Sequence, residues 1–312
     1  MKLIIQIPCF NEANTLPLTL SDLPRRIEGI DAIEYLVVDD GSTDGTAGIA
    51  KQHGVHHVVR FPTHQGLAAA FGRALSASLE NDADIVVNTD GDNQYRAKDI
   101  PLLIQPILEA KADMVIGKRP IAKNRYFPFW KKLMQKAGSW VVRIISKTGV
   151  PDATSGFRAF SRDAALRLNV FDAYTYTLET IIQAGRSNIA VAWVPVGINS
   201  PTRESRIIKN IPSYVFHSIF TIIRIFVLYK PFRFFALCGS LLLGAGILLD
   251  ARFVYFYLAG SGSGMVQSLI LSAILSLAGF QLFIVGLLAD LISTNRRILE
   301  DIQFRIRSRP RG

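Results

Sequence analysis

The segment that decides the fold reads YLVVDDGSTDG and occupies residues 35–45. Its first four residues are apolar, which predicts a buried strand over Tyr35–Val38. Asp39 and Asp40 follow directly, and Gly41 marks the turn that comes next. In open α/β sheets, ligands bind beyond the carboxyl ends of the strands. The segment therefore predicts a functional edge of a parallel sheet.

Apolar strands alternate with helical segments on both sides of this segment. Further strands are expected at Leu3–Ile7, His57–Arg60, Ile85–Asn88 and Met114–Ile116. Helices are expected between them at Thr15–Ile27, Asp44–Gln52, Leu67–Leu79 and Asp99–Glu109. This βαβα order predicts an α/β fold with a mostly parallel, doubly wound, Rossmann-like sheet.

Polar residues follow two other predicted strands. The first is followed by a segment that contains Asn11 and Glu12, and the fourth by Asp90-Gly91-Asp92-Asn93-Gln94. Carboxylates that converge on one sheet edge repel each other unless a cation or hydrogen-bond donors offset their charge. Asp90 and Asp92 offer the oxygen ligands that suit Mg²⁺ or Mn²⁺. The alternative for this pair alone is an ordinary Asp-Gly turn.

Several enzyme classes are disfavoured. The first strand is not followed by G-x-G-x-x-G, and G-x-x-x-x-G-K-[ST] occurs nowhere, which argues against a nicotinamide dehydrogenase and a P-loop NTPase. The histidines have no cysteine partners at zinc-site spacing. With only 2 cysteines in 312 residues, a disulfide scaffold is also excluded.

The apolar residues, 49% of the chain, are concentrated near its C-terminal end. Uncharged runs occupy Phe234–Leu249 and Val266–Ala289, and a Gly-Ser segment over 260–264 separates them. A bilayer core takes about 20 helical residues, so the two runs predict a transmembrane hairpin. Two buried core helices are the alternative.

Basic residues flank this predicted hairpin on both sides and contribute to a net charge of +10. The positive-inside rule therefore places the N-terminal domain and the C-terminal tail in the cytoplasm. Anionic lipid explains this charge better than nucleic acid does. No nucleic-acid partner is expected. The resulting domains are 1–205 (catalytic), 206–231 (interfacial helices), 232–293 (transmembrane hairpin) and 294–312 (basic tail).

The motifs together resemble family 2 glycosyltransferases of the GT-A fold. The resemblance rests on Ile7-Pro8-x-x-Asn11-Glu12, Val38-Asp39-Asp40-Gly41-Ser42-x-Asp44-Gly45-Thr46 and Asp90-Gly91-Asp92-x-Gln94. Two later motifs, Asp152-x-Thr154-Ser155-Gly156-Phe157-Arg158 and Arg203-x-Ser205-Arg206, are similar to the dolichyl-phosphate mannose synthase and polyprenyl-phosphate glycosyltransferase branch. The predicted hairpin matches anchored members of that branch.

The resemblance implies a role for each matching residue. The residues implied for the nucleotide-sugar donor are Pro8, Asn11, Glu12, Asp39, Asp40, Asp90 and Gly91. Those implied for the divalent metal are Asp90, Asp92 and Gln94. Those implied for the phosphate of a polyprenyl phosphate acceptor are Arg119, Lys131 or Lys132, and Arg203. Arginine suits phosphate because its planar guanidinium can donate two parallel hydrogen bonds.

The chemistry predicts a single displacement with inversion at the anomeric carbon. The acceptor phosphate is already largely anionic at neutral pH, since its second pKa is about 6, so a strong general base is less necessary. Asp152 is the candidate carboxylate beside the reacting centre, either as base or as the residue that orients a basic group, with a turn cap as the alternative. Glu179 is a weaker candidate.

The sequence departs from the resembled pattern in two loops and at Arg206, which stands where a common Ser-Lys pair has its lysine. His64-Gln65-Gly66-Leu67 stands where many relatives have Asn-x-Gly-Lys, and Tyr95-Arg96-Ala97 stands where His-Pro-Pro often follows the metal motif. A processive polysaccharide synthase and a non-catalytic membrane scaffold stay as alternatives. The sugar, the base and the polyprenyl chain are left open, and so is a homo-oligomer, for which Gly239, Gly244 and Gly246 permit close helix packing.

Overall fold

The computed structural model describes residues 1–120, 138–140, 142–170, 176–200, 220, 223–224, 227, 229–260 and 266–307. The chain divides into two compact units. One comprises Met1–Val215 with Phe304–Gly312, and the other comprises Phe216–Gln303. The first unit contains a β-sheet with helices, and the second contains a helical hairpin.

The first unit is built on a seven-stranded sheet with the strand order β3-β2-β1-β4-β6-β5-β7. The strands are β1 (Lys2–Cys9), β2 (Ala32–Asp39), β3 (His57–Arg60), β4 (Ile85–Asn88), β5 (Met114–Lys118), β6 (Arg158–Ser161) and β7 (Val191–Pro195). Strands β3, β2, β1 and β4 are parallel, whereas β6 runs antiparallel to both β4 and β5. The predicted mostly parallel α/β fold is confirmed.

The central strands are buried on both faces. Ile4, Ile5, Val37 and Val87 have no exposed surface. Full burial of each such side chain contributes about 1.5–3 kcal/mol of hydrophobic free energy. Continuous apolar runs, rather than alternating ones, are the pattern expected for parallel strands covered by helices.

The described helices are α1 (Leu16–Asp22), α2 (Thr46–Gln52), α3 (Leu67–Glu80), α4 (Ile100–Leu108), α5 (Arg162–Arg167), α6 (Tyr176–Arg186), α7 (Pro231–Leu258) and α8 (Val266–Arg307). The helix predicted over Thr15–Ile27 was too long, because it ends at Asp22. Leu23 has an extended backbone, as expected for a residue before Pro24. Helix α2 begins at Thr46 because Gly45 before it has a φ of 85°.

Strand β6 was not predicted, and it determines what lies beside the end of β4. In the antiparallel register, Arg158 pairs with Asn88. The segment that leads into β6 therefore lies at the same sheet edge as the residues that follow β4. This edge is the one at which β1 and β2 end, since both are parallel to β4 or to its neighbour.

The second unit contains the two predicted apolar helices. Helix α7 and the Val266–Asn295 part of α8 are long and apolar enough to cross a membrane. In the most apolar 18-residue stretch of each helix, only 11% and 17%, respectively, is buried inside the protein. The core helix of a soluble protein is mostly buried, so the alternative of two core helices is not supported.

Small residues bring the two helices of the hairpin together. A Cβ atom built on Gly239 would lie 2.8 Å from the carbonyl oxygen of Gly279, and one built on Gly246 would overlap Ser276 Oγ. The Ser272 hydroxyl lies within hydrogen-bonding distance of both the Asp250 carboxylate and the Gly246 carbonyl, and it has one proton to donate between them. Close packing over small residues and interhelical hydrogen bonds are typical of helices in lipid.

We expect Gly279→Leu to separate the hairpin and lower the melting temperature of the detergent-solubilised protein. A Cβ atom there would lie 2.7 Å from Leu243 Cγ and 2.8 Å from the Gly239 carbonyl oxygen. Overpacking of this kind costs about 1–3 kcal/mol. Gly244→Leu is the matched control, because a Cβ atom at Gly244 meets nothing within 4 Å. Equal melting temperatures for the two variants would contradict this packing.

Candidate active site

The candidate site lies at the sheet edge where β1, β2 and β4 end. In the register of β1 with β2, Cys9 pairs with Asp39, and Gln6 pairs with Asn88 of β4. The loops that follow these three strands therefore emerge side by side. They carry nearly all the residues predicted for the donor and the metal.

Asp39 ends β2 and is 1% exposed. Its Oδ1 accepts a hydrogen bond of 3.0 Å from the backbone N–H of Ser42, and Arg60 Nε lies 3.3 Å from its Oδ2. Within the described part of the chain, no hydrogen bond reaches that buried Oδ2 atom. A buried carboxylate oxygen without a donor is costly. The site therefore favours a ligand that brings an N–H or O–H group to Asp39.

Both carboxylate oxygens of Asp40 accept hydrogen bonds from the protein backbone. Its Oδ1 accepts a hydrogen bond of 2.7 Å from the backbone N–H of Gln65, and its Oδ2 accepts one of 2.9 Å from that of Gly66. His64 Nδ1 also lies 2.8 Å from Oδ2. These bonds hold the loop that precedes α3. The predicted contact of Asp40 with the donor stays a prediction, with both carboxylate oxygens already engaged.

The segment after β1 is tied to the segment after β2. The backbone N–H of Asn11 donates to Ser42 Oγ over 2.9 Å, and Asn11 Oδ1 accepts from the backbone N–H of Thr43 over 2.9 Å. Glu12 is 6% exposed, and its Oε2 accepts from Thr15 Oγ1 over 2.6 Å. Pro8 lies inside β1 opposite Val38. These residues shape the loop where donor contacts were predicted.

The segment after β4 carries the predicted metal ligands. Asp92 Oδ1 accepts a hydrogen bond of 3.1 Å from the backbone N–H of Gln94, which closes a tight turn. Asp90 Oδ1 lies 3.3 Å from the position that a Cβ atom on Gly156 would occupy. The absence of a side chain at Gly156 thus keeps Asp90 close to the segment that enters β6.

The oxygen ligands predicted after β4, those of Asp90, Asp92 and Gln94, suit a hard divalent cation that keeps open coordination positions. No group of three His, Cys, Asp or Glu side chains suited to a metal occurs among the residues that the structure describes. Mg²⁺ in nucleotide sites needs only one or two carboxylates, because water and phosphate oxygens supply the remaining ligands. Burial raises the pKa of the nearby Tyr95 to about 12, and Asp90 adds to this rise while Arg119 opposes it. The negative charge at Asp90 would be partly offset by a bound cation.

Gly91 is required by packing rather than by an unusual backbone angle. A Cβ atom there would lie 2.8 Å from the buried Cys9 Sγ, and the Gly91 carbonyl accepts from Thr19 Oγ1 over 3.0 Å. We expect Gly91→Ala to displace the Asp90–Asp92 turn and reduce turnover about tenfold, because overpacking costs about 1–3 kcal/mol. The check is an activity assay of the purified variant.

Cys9→Ala in the same chain supplies the control for that prediction. It removes the sulfur that the new methyl group would meet, so the double variant should regain most of the lost activity. A double variant no more active than Gly91→Ala would contradict the steric explanation.

Arg119 and Asp152 form a buried ion pair with two parallel hydrogen bonds. Arg119 Nε donates to Asp152 Oδ2 over 2.8 Å, and Arg119 Nη2 donates to Oδ1 over 3.0 Å. Arg119 Nη2 also donates to Thr154 Oγ1 over 2.8 Å. The side chains are 10% and 2% exposed. Burial alone would raise the pKa of Asp152, but the Arg119 guanidinium outweighs burial and holds that pKa below its usual value.

Three buried polar residues below the site were not predicted as functional. Tyr95 Oη accepts a hydrogen bond of 2.9 Å from the backbone N–H of Gly156, while Asn88 Nδ2 donates to the Gly156 carbonyl over 2.9 Å and to Tyr176 Oη over 3.1 Å. Gly156 is thus held on both sides. Tyr95 was noted only as a departure from the His-Pro-Pro pattern, and spacing alone gives no signal for such contacts.

The chain after β7 passes along the predicted metal turn. Asn199 donates from its backbone N–H to the Gln94 carbonyl and from Nδ2 to the Asn93 carbonyl, each over 2.9 Å. Of the residues predicted for the acceptor phosphate, only Arg119 can be placed. Lys131, Lys132 and Arg203 lie outside the described residues. Glu179 is buried in α6, where its Oε1 accepts from Gln183 Nε2 over 3.4 Å.

Comparison with known proteins places this arrangement in a family. Residues 4–168 match the family described as glycosyl transferase family 2. An undecaprenyl-phosphate mannosyltransferase from Micrococcus luteus is 30% identical over 63% of this chain and 83% of its own length. The glycosyltransferase AglJ of Haloferax volcanii is 28% identical over 94% of both chains.

Solved structures agree with this assignment at the level of the fold. The glucosyl-3-phosphoglycerate synthase from Mycobacterium tuberculosis, in complex with Mn²⁺ and UDP-glucose, is similar with a TM-score of 0.56 and 22% identity. The similarity covers 72% of this chain and 78% of that one. The chain therefore belongs to glycosyl transferase family 2 and is a glycosyltransferase whose sheet domain has the GT-A fold.

Proposed function

We propose that this enzyme transfers a sugar from a UDP- or GDP-linked donor to a polyprenyl phosphate, with inversion at the anomeric carbon. The product is a polyprenyl-phosphate sugar. The reaction depends on Mg²⁺ or Mn²⁺ and takes place at the cytoplasmic face of a membrane. The hairpin of α7 and α8 anchors the enzyme there, with the basic segments on either side of it in the cytoplasm.

The observation that carries this proposal is the meeting of two opposite charges at one sheet edge. Asp39 ends β2, and Asp90 and Asp92 follow β4, so these carboxylates lie at the same end of parallel strands, where a nucleotide with a metal ion is expected. Arg119 has a buried guanidinium next to them: burial lowers the pKa of that group, but the negative charges of its surroundings, those of Asp152 and Asp90 among them, outweigh burial and raise it. An acidic side suits a metal-bound diphosphate, and the guanidinium suits a second phosphate.

The donor side is assigned from the groups that each loop presents. Asp39 Oδ2 is buried without a hydrogen-bond donor from the described residues, so it can accept from the base or the ribose. Asp90, Asp92 and Gln94 would hold the metal, which, when bound, neutralises the charge that develops on the leaving diphosphate. Relatives of this fold are crystallised with Mn²⁺ and UDP-glucose, which supports this assignment.

The acceptor side is assigned from Arg119 and from the relatives. A polyprenol monophosphomannose synthase from Mycolicibacterium smegmatis is 26% identical over 85% of its length. That name, like that of the Micrococcus luteus enzyme, indicates a polyprenyl phosphate acceptor. In this chain, Arg119 would bind the lipid phosphate, assisted by Lys132 and Arg203. Cations that hold the phosphate also reduce its repulsion from the donor diphosphate.

Asp152 is proposed as the residue that orients Arg119 rather than as a general base. Both of its carboxylate oxygens accept hydrogen bonds from Arg119, and its pKa lies below its usual value. An effective general base has a pKa near the working pH. Asp152 is therefore a poor base, and the acceptor phosphate needs none because it is already anionic.

The test is a donor panel with one acceptor. The full-length enzyme in detergent is incubated with Mn²⁺, a short-chain polyprenyl phosphate and UDP- or GDP-linked mannose, glucose or N-acetylhexosamine. We expect one donor to release nucleoside diphosphate and form a lipid with one sugar on its phosphate, whose anomeric configuration is read by NMR. The polyprenol without phosphate should not react.

Other outcomes identify the rival functions. A growing polymer would indicate a processive synthase. That alternative has little support, because this chain has Gln183-Ala184-Gly185-Arg186-Ser187 where processive synthases of the resembled family carry Gln-x-x-Arg-Trp. No turnover with any donor would indicate a scaffold that has kept the fold.

A further inference from the structure

Arg158, the first residue of β6, is an unusual arginine because it is fully buried, with 0% exposure. Its Nε donates to the Ser155 carbonyl over 2.7 Å, and its Nη2 donates to the Ala153 carbonyl over 2.9 Å. Its Nη1 donates to Thr180 Oγ1 over 2.6 Å. Among the described residues, no carboxylate forms an ion pair with it.

A buried cation without an ion-pair partner is expensive to keep. Burial lowers the pKa of Arg158 to about 10, so the guanidinium still carries its charge at neutral pH. Its partners are two carbonyl groups, one hydroxyl group and the ring of Tyr176, whose centroid lies 5.9 Å away. Buried charges are generally paired, so an unpaired one points to a specific task.

The task is visible in what the guanidinium holds. Ala153 and Ser155 flank Thr154, and both of their carbonyls are fixed by Arg158. Thr154 Oγ1 in turn accepts from Arg119 Nη2 over 2.8 Å and donates to Asp152 Oδ1 over 3.1 Å. Arg158 thus fixes, from below, the loop residue that contacts the Arg119–Asp152 pair from the side.

The far end of this loop is also fixed. Gly156 follows Ser155, and its N–H and C=O groups are bonded to Tyr95 and Asn88. The backbone from Ala153 to Gly156 therefore has partners at three carbonyls and at three N–H groups, those of Ala153, Ser155 and Gly156. The Thr154 side chain extends from this fixed backbone to Arg119.

We propose that Arg158 is a positioning residue for the acceptor phosphate. It holds the Ala153–Ser155 loop so that Thr154 and Asp152 present the Arg119 guanidinium to the lipid phosphate. This inference rests on the proposed function. It predicts that loss of Arg158 impairs use of the acceptor and spares binding of the donor nucleotide.

The experiment compares Arg158→Met and Arg158→Lys with wild type in the full-length enzyme. Kinetics are measured with Mn²⁺, the active donor and a short-chain polyprenyl phosphate. Binding of the nucleoside diphosphate with Mn²⁺ is measured separately by calorimetry. We expect Arg158→Met to lower kcat/KM for the acceptor about 100-fold, the loss typical of a reacting group misplaced by about 1 Å. The nucleotide dissociation constant should change less than about twofold, and lysine should restore part of the loss because it keeps the charge but not the fork.

Arg162→Met is the matched control. Arg162 also donates to a backbone carbonyl, that of Ala83 over 3.0 Å, but at the opposite edge of the sheet. It should keep acceptor kinetics near wild type. Thr154→Val provides a second variant that leaves Arg158 in place, and it should raise the acceptor KM in the same direction.

The outcomes separate the two proposals. Absence of wild-type transfer to polyprenyl phosphate would overturn the proposed function and this inference with it. Wild-type transfer with unchanged acceptor kinetics in Arg158→Met, or in Thr154→Val if Arg158→Met does not fold, would overturn this inference alone. An equal loss of nucleotide binding and acceptor use in Arg158→Met would also overturn it, because Arg158 would then support the whole domain.

Discussion

Replacing Asp92 with alanine is expected to reduce sugar transfer by at least about 1,000-fold. Asp92 lies two residues after Asp90 in the turn that follows β4. The backbone N–H of Gln94 donates to Asp92 Oδ1 and closes that turn. A divalent ion at a leaving diphosphate supplies several kcal/mol of charge stabilisation, and about 4 kcal/mol corresponds to about 1,000-fold in rate. The measurement is the release of nucleoside diphosphate as a function of Mn²⁺ concentration.

Asp84→Ala is the matched control for this variant. Asp84 stands just before β4, at the opposite end of the strand that Asp90 follows, and its Oδ2 accepts from the backbone N–H of Lys2 over 2.7 Å. This variant should lose some stability and keep its dependence on Mn²⁺. If Asp92→Ala retained wild-type rates and a wild-type Mn²⁺ requirement, the assigned metal site would be wrong.

The parallel half of the sheet could be predicted from the sequence because each strand there is a short apolar run bounded by turn residues. His57–Arg60 and Ile85–Asn88 have the predicted bounds, and the other strands extend the predicted ones at their ends. The acidic residues could be placed together for the same reason. In parallel strands, the residue after each run must lie at the same edge.

The second half of the sheet could not be predicted in this way. Strand β6 has only four residues and begins with the charged Arg158, so its apolar pattern is weak. Strand β7 is an outermost strand of the sheet, and its residues are either partly buried or exposed. Pairing of β6 between β4 and β5 is a tertiary choice that no local period records.

The candidate site shows the same division between local and tertiary information. Arg119 and Asp152 were each predicted as site residues. Their ion pair joins residues 33 positions apart, and no local sequence pattern predicts such a pair. Asp40 accepts hydrogen bonds from the backbone N–H groups of Gln65 and Gly66, and its contact with the donor stays a prediction. Motif residues predict at which end of the strands the site lies. Which residue binds a ligand and which one holds a loop depends on the hydrogen-bond partners that each residue has in the folded protein.

Asp152→Asn is expected to lower kcat/KM for the acceptor about 100- to 1,000-fold while sparing nucleotide binding. The amide would present an N–H group to one of the Arg119 donors, so the fork that aims the guanidinium would be lost. Removing one partner from a buried ion pair also costs about 3–5 kcal/mol of stability, so the comparison must be made below the melting temperature. Arg119→Lys should show a similar acceptor defect, because an ammonium group cannot form the same two parallel bonds.

Asp163→Asn serves as the control for Asp152→Asn. Asp163 also receives two hydrogen bonds from one arginine, Arg167, through Nε at 2.8 Å and Nη2 at 3.4 Å, but this pair is exposed on α5. Exposed pairs contribute little, so this variant should keep wild-type kinetics. Wild-type acceptor kinetics in Asp152→Asn would contradict the orienting role.

The pH profile distinguishes an orienting carboxylate from a general base. Since Arg119 holds the pKa of Asp152 below its ordinary value of 3.8, the ion pair is complete above about pH 5 and its stabilisation is lost only as the pH falls through the lowered pKa. The acid limb of kcat/KM should instead follow the acceptor phosphate, with a midpoint of about 6. Asp152→Asn should lower the plateau and leave that midpoint unchanged. A limb that disappears in this variant would mean that Asp152 takes the proton itself.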